Sequence, residues 1–206
     1  MSSNGIGDDG LRSLIGEPSE LVQAKINDRL NELTRQFVER SPFLCLATSA
    51  ADGTCDVSPR GDPSGFVRIL DERTLLLPDR PGNRLADSLR NVTQNPHVAL
   101  LFFVPGVTDT FRVNGTATIV TDPELLEACA VEGKTPKLGL RIEIQEAFTH
   151  CSKAFLRAQL WDPDRFVDRD ELPSPGELLR SVEPSVDPDT YDAERAERYE
   201  RREGFY

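Results

Sequence analysis

Basic charge is scarce in this chain. Its 206 residues carry 24 lysines and arginines against 35 acids, for a net charge of −11 at neutral pH and a pI near 4.7. That balance argues against sequence-independent nucleic-acid binding, which draws on clustered lysine and arginine. It argues equally against an anionic membrane surface. Long apolar runs are missing too, and none approaches the roughly 18 residues of a membrane span. The opening MSSNGIGDDG is polar and acidic, the opposite of a secretory signal, so the expected location is the cytoplasm. Cysteine and histidine are sparse. Cys45, Cys55, Cys129 and Cys151 show no CxxC spacing, which removes a disulfide framework in a cytosolic chain. Only His97 and His150 join them, and adjacent His150-Cys151 is a poor chelating pair, so no metal is expected.

What is present is one domain's worth of core, with 38% hydrophobic residues. Residues 1–17 read as disordered. Ser19 is placed to cap a helix running to about Arg40, with Ile26, Leu30, Leu33 and Phe37 on one stripe, and Ser41-Pro42 ends it. A dense β region follows. Strands are expected at 43–48, 54–60, 65–70, 74–78, 98–104, 110–120 and 138–148, with Asp52-Gly53 and Pro105-Gly106 as turns. Short helices are expected at 83–89, from Asp122 through Ala130, and at about 151–161. Many short strands with hairpin turns and few helices point to a closed or nearly closed barrel. The division is a tail and helix (1–40), a barrel domain (41–161) and an acidic extension (162–206). The extension holds 14 acids, 7 arginines and no lysine. It reads as an extended tail, with a charged helix at 189–203 supported by Glu194–Arg198 and Glu197–Arg201 at i,i+4.

The most informative stretch is Thr54 to Asn91. Along 54–60, Thr54, Asp56, Ser58 and Arg60 alternate to one side and Cys55, Val57 and Pro59 to the other. One hairpin later, the strand at 74–78 runs into Arg80-Pro81-Gly82-Asn83-Arg84. Asn83 is read as the N-cap of the helix there. Positive charge at a helix N-terminus opposes the dipole unless an anion is bound, so these arginines point to a phosphate anchor. The simpler reading, a capped connection beside a solvated strand face, stays open. At Thr149-His150-Cys151-Ser152-Lys153 a strand gives way to a helix, and Lys153 shares a face with Arg157. A further phosphate or substrate contact and a merely solvated basic face are both compatible with that. Cys151, with Ala154, Phe155 and Ala158 on its face, reads as a buried, inert thiol. Gly133-Lys134-Thr135 is no P-loop, because Ala128 stands at the first glycine position and a helix precedes it. Trp161, the lone tryptophan, reads as core or interface packing.

Together these residues resemble the pyridoxamine 5′-phosphate oxidase-like FMN-binding split-barrel superfamily, over about residues 40–161. The carriers are SPFLCLATSAADGTCDVSPRGDP (41–63), LLLPDRPGNRLADSLRN (75–91), HVALLFFVPGVTDTFRVNGTATI (97–119) and THCSKAFLRAQLW (149–161). The pattern looks most like a bacterial branch of FMN-dependent enzymes with SPRGD, RPGNR and HCxKA strings. The resemblance implies a mainly β, six-stranded Greek-key split barrel with peripheral helices. It implies a homodimer with FMN at the subunit interface. It carries cofactor contacts to Ser58, Arg60, Gly61, Leu76, Pro78, Asn83 and Arg84, with His150, Cys151 and Lys153 on the flavin or substrate side. His150 is a candidate proton donor there. The implied activity is electron transfer between FMN and a small organic substrate or a nicotinamide nucleotide. The basic pattern of authentic pyridoxamine-phosphate oxidases is not evident, so vitamin B6 oxidation is not assigned. Alternatives are an F420-dependent reductase, a non-catalytic flavin carrier or sensor, and a cofactor-free barrel whose acidic tail recruits a protein. Haem ranks below these, since neither histidine sits in a haem motif.

Overall fold

The computed structural model describes residues 6–206. Three helices precede the sheet: α1 (Asp8–Ile15), α2 (Glu20–Ala24) and α3 (Glu32–Arg40). Disorder over residues 1–17 is therefore corrected for 8–15, while residues 1–5 lie outside the described residues. In α1 Asp8 and Asp9 occupy the first turn and Arg12 the last, matching the helix dipole. The single helix expected from Ser19 to Arg40 is two. Ser19 caps α2 by accepting from the Val22 N–H. The chain then leaves the helix because Asn27 exchanges two backbone hydrogen bonds with Ala147, at 3.2 and 2.6 Å. Asn31 restarts it with a capping box to Thr34. The expected stripe is broken accordingly: Leu30 is buried, but Ile26 and Leu33 are exposed, and Val38 takes the inward position.

The strands and remaining helices run in order as β1 (Phe43–Ser49), β2 (Cys55–Gly61), β3 (Arg68–Ile69), β4 (Thr74–Pro78), α4 (Asp87–Gln94), β5 (His97–Phe103), β6 (Thr110–Val120), α5 (Pro123–Glu127), β7 (Gly139–His150), α6 (Lys153–Ala158), α7 (Pro175–Arg180) and α8 (Pro188–Glu200). All pairings are antiparallel, in one sheet of order β2-β1-β5-β6-β7-β4-β3. The sheet has seven strands, the number the spacing predicts and one more than the resemblance implies, with the strand expected at 65–70 reduced to the two residues of β3. The β1–β2 hairpin turns at Gly53, whose φ of +87° is the conformation glycine tolerates best. The β6–β7 ladder slips one residue between Asn114 and Gly115, and a Cβ at Gly115 would run into the Glu143 carbonyl oxygen. Glycine is what lets these two long strands stay paired through the bulge.

One face of the sheet carries the core. Leu44 and Leu46 of β1, Leu100 and Phe102 of β5, and Phe111 and Val113 of β6 are fully buried in it. Their cross-strand partners on β2 are Arg60 opposite Leu44 and Ser58 opposite Leu46. These two polar residues therefore share the core face, but on an edge strand. Strand β4 is buried on both sides. Leu75 and Leu77 join the main core, and Leu76 faces the other way, onto Leu126 of α5 and Cys129.

Beyond the barrel, α6 stops at Ala158, three residues short of expectation, as Gln159 turns left-handed at φ +49°. The extension is not an extended tail. It forms α7 and α8, joined where Asp192 accepts from the Gly176 N–H at 2.8 Å. A side chain at position 176 would collide with Pro188 and Asp192. Among the described residues no helix is long and apolar enough to cross a membrane.

Candidate functional site

Strands β2 and β3 end the sheet on opposite sides, yet the sheet coils enough to bring β2 against the turn leaving β4. Arg60 donates to Asp79 across that gap at 2.6 Å. A cavity of about 620 Å³ opens there, between β2, the end of β4, the loop 79–86 and the start of α4. That volume falls within the range of small-molecule sites. Ser58, Arg60, Gly61, Pro78, Asn83 and Arg84 all line it. Six of the ten site residues read from the sequence thus meet in one place.

A polar chain runs along the cavity wall. The Ser88 hydroxyl donates to Asp56 at 2.7 Å and lies 3.0 Å from the Ser58 hydroxyl. Arg60 donates from Nε to Ser58 at 3.2 Å and from Nη1 to Asp79. Arg80 is anchored separately. Its Nε donates to Asp62 at 2.6 Å and its Nη2 to the Cys129 carbonyl at 2.7 Å. The Tyr206 hydroxyl donates to the other Asp62 oxygen at 2.7 Å, and its ring lies under the Arg80 guanidinium. The Asp62 bond, followed by burial, raises the Tyr206 phenol above its ordinary pKa. Burial raises the Cys129 thiol likewise.

Arg84 differs from both. Among the described residues it makes no ion pair and no side-chain hydrogen bond. It also holds φ +65°, and Ala86 two residues on holds φ +57°. Two left-handed residues with side chains in three positions cost on the order of 1–3 kcal/mol each. Such strain collects at ligand sites.

Four expectations need correction. The helix after the arginines begins at Asp87, not at Asn83, so Ala86 rather than Asn83 stands at the N-cap. Asn83 instead turns its own loop, accepting from the Leu85 N–H at 3.0 Å. The dipole conflict read from the sequence does not arise, because Asp87 supplies the acid in the first turn and pairs with Arg90. Leu76 does not line the cavity; its side chain packs on Leu126 and Cys129 instead. Cys151 is exposed rather than buried.

His150, Cys151 and Lys153 lie elsewhere. Pro78 pairs with Gly139 at the beginning of β7, and His150 is the last residue of that strand. His150 packs on Phe148, with ring centroids 5.2 Å apart. Burial first, then the charges of Arg112 and Lys25, hold its imidazole below the ordinary range. Trp161 packs on Phe155 of α6 and donates to the Val107 carbonyl at 2.9 Å. Sequence reasoning missed Ser88, Asp79, Arg112, Lys25 and Tyr206. Ser88 carried a faint signal, a serine on the inward side of an amphipathic helix. The others depend on contacts between distant segments.

The family model described as pyridoxamine 5′-phosphate oxidase matches residues 30–151. No curated protein matches the chain. Among solved structures, HupZ from Group A Streptococcus is similar at 18% identity and a TM-score of 0.47, over 58% of this chain and 93% of that one. An FMN-binding protein from Syntrophomonas wolfei is similar at 12% identity and a TM-score of 0.43, over 58% and 89% of the two chains. General Stress Protein 26 from Bacillus anthracis is similar at 15% identity and a TM-score of 0.44, over 58% and 94%.

Proposed function

The chain belongs to the pyridoxamine 5′-phosphate oxidase-like family of FMN-binding split-barrel proteins, and we propose that it is an FMN-dependent oxidoreductase acting on a small organic molecule. The observation that carries the reading is Arg84. Its backbone is strained, and among the described residues its guanidinium has no partner on the wall of a cavity of about 620 Å³. The donor chemistry of that cavity fits a flavin mononucleotide. Arg84 and the unengaged Nη2 of Arg60 suit a phosphate, a fork geometry matched to such oxygens. The Ser58 and Ser88 hydroxyls and the Asn83 amide suit a ribityl chain or ring edge. Phe66 and Leu85 supply apolar wall.

When bound, the flavin would supply the electron transfer, and the protein would supply binding, orientation and electrostatics. Arg84 neutralises the phosphate. Asp79 keeps the Arg60 fork aimed into the cavity from β2. Asp56 fixes the Ser88 hydroxyl as its donor, which leaves the Ser58–Ser88 pair able to accept from a ligand. The redox partner is a small organic molecule or a nicotinamide nucleotide.

The working unit is a homodimer with a flavin site at each end of its interface. Support comes from the face of the sheet opposite the core. Val57 is 65% exposed and Phe43 39% exposed there. Cys45, Ala47, Leu101 and Phe103 lie half-buried beside them. An apolar sheet face of this kind is what a second copy would cover. In such a dimer the partner's copy of His150, Cys151 and Lys153 would complete the substrate side, since no single subunit brings them to the cavity. Titration of FMN into cofactor-free protein tests the reading. Binding that weakens markedly in Arg84→Ala supports it, and affinity unchanged by that substitution contradicts it.

A further inference from the structure

Residues 201–206 meet the wall of the cavity without lining it. The helix that delivers them, α8, packs on α7 and ends in a Schellman turn. The Glu203 N–H donates to the Arg198 carbonyl at 2.9 Å, and the Arg202 N–H donates to the Tyr199 carbonyl at 3.0 Å. Arg202 takes the left-handed position of that turn at φ +52°, where glycine is the usual occupant. Its side chain offsets the strain by pairing with Glu132, at 2.9 Å, in the turn beyond α5. Gly204 then turns the chain at φ +75°. Phe205 packs edge-on against Tyr199, with ring centroids 5.6 Å apart, and Tyr206 arrives at Asp62. Among the described residues, Arg202–Glu132 and Tyr206–Asp62 are the ion pair and the side-chain hydrogen bond that join 175–206 to the barrel. A segment held at so few points opens locally, without the sheet.

Tyr206 is not in the cavity wall, but Asp62 and Arg80, which it touches, both are. Asp62 gives one oxygen to the Tyr206 hydroxyl at 2.7 Å and the other to Arg80 Nε at 2.6 Å. Its side chain is only 2% exposed, so little water can replace either donor. Its main chain is pinned as well, the N–H donating to the Pro42 carbonyl at 3.1 Å. Arg80 is held by Asp62 and the Cys129 carbonyl, and the Tyr206 ring covers it at 5.1 Å. Its Nη1 makes no hydrogen bond among the described residues, which leaves that end for the cavity. Arg80 also opens the loop 80–86, which carries Asn83 and the strained Arg84 and Ala86. Two hydrogen bonds, Tyr206 to Asp62 and Asp62 to Arg80, thus connect the end of the extension to the base of that loop.

We propose that Tyr206 is a positioning residue for this cavity: by holding Asp62 and Arg80 it sets the base of the 80–86 loop, so that seating of residues 201–206 and filling of the cavity favour each other. The proposal rests on the FMN reading only for the identity of the ligand. Unseating the segment frees one Asp62 oxygen and bares one face of Arg80. The loop then gains freedom that a ligand must remove on binding. A ligand that needs the seated loop therefore binds more tightly when the segment is docked. By linkage, the same ligand docks the segment more tightly. A tyrosine that only covers surface carries no such reciprocity.

The test is amide hydrogen exchange on the full-length protein and on Tyr206→Phe, without ligand and with saturating FMN, beside an FMN titration of each. Phenylalanine keeps a ring against Arg80 and removes only the hydroxyl. In the ligand-free variant the hydrogen-bonded amides of Asp79 and Leu85 should exchange faster than in the parent. In the parent, FMN should slow exchange across 201–205. That protection, with up to roughly tenfold of FMN affinity, should be lost in Tyr206→Phe, as removal of one charge-assisted hydrogen bond implies. Unchanged exchange at Asp79 and Leu85 overturns the proposal, and so does FMN affinity that the substitution leaves untouched. If FMN binds neither protein, the FMN assignment fails by itself. The ligand-free comparison then still decides: faster exchange at Asp79 and Leu85 in Tyr206→Phe supports the positioning role, and equal exchange overturns it.

Discussion

Arg60 and Asp79 form a 2.6 Å ion pair that joins the edge strand β2 to the turn leaving β4. Both side chains are about four-fifths covered, at 20% and 23% exposure. The pair therefore holds the cavity mouth together while pointing one arginine into it. Arg60→Ala should lower thermal stability and flavin affinity together, since it removes a wall contact and a phosphate donor. Differential scanning fluorimetry and an FMN titration on the same preparation separate the two effects.

Arg84 has no such second duty. Arg84→Ala should weaken FMN binding by roughly tenfold or more, in line with one lost charged contact, and leave the melting temperature nearly unchanged. Arg84→Gly should lose affinity equally but melt at or above the wild-type temperature, because glycine relieves the left-handed φ of +65°. A large drop in melting temperature for the glycine variant would show that Arg84 is structural.

Asp62 accepts from Arg80 and from Tyr206, with its side chain only 2% exposed. Removing it in Asp62→Ala leaves a largely buried guanidinium without its charge partner, which should cost about 3 kcal/mol in chemical denaturation. The raised Tyr206 phenol carries a pH signature. Folding favours the protonated form, so the linked stability is complete below the ordinary tyrosine value of 10.0 and is lost as pH rises above it. Tyr206→Phe should be slightly less stable at neutral pH and should lose that share of the alkaline decline. Identical alkaline profiles for the two proteins would contradict the assigned bond.

Gly115 sits where the β6–β7 ladder slips, against the Glu143 carbonyl. Gly115→Ala forces the two longest strands apart and should destabilise by at least 1–3 kcal/mol, the usual range for overpacking. A denaturant melt close to wild type would mean the bulge adapts at little cost.

Much of the barrel is legible in the sequence because its strands alternate. Leu44 and Leu46 against Cys45, or Phe111 and Val113 against Arg112, announce a half-buried strand with no knowledge of its neighbours. Ser58 and Arg60 are legible for the same reason, through the side of the strand they occupy. What fails is anything set by a distant contact. The break between α2 and α3 follows from Asn27 pairing with Ala147, 120 positions away. The late start of α4 follows from a loop turned by Asn83 and strained at Arg84 and Ala86, where helix-forming residues are held out of the helix. In the acidic extension the i,i+4 charge pairs announce α8, but composition does not announce α7 or its packing on α8 through Gly176 and Asp192. Which side each leucine of β4 takes is not legible either, because the strand is buried on both faces and a continuous run of leucines carries no period.

The central claim is that the Arg84 cavity holds FMN. The most direct measurement is the visible absorption spectrum of the purified protein, with any released cofactor identified by mass. The account expects a yellow protein carrying FMN, or a colourless one that turns yellow and saturates on adding it. A protein that stays colourless with added FMN, or that releases a deazaflavin instead, would contradict it.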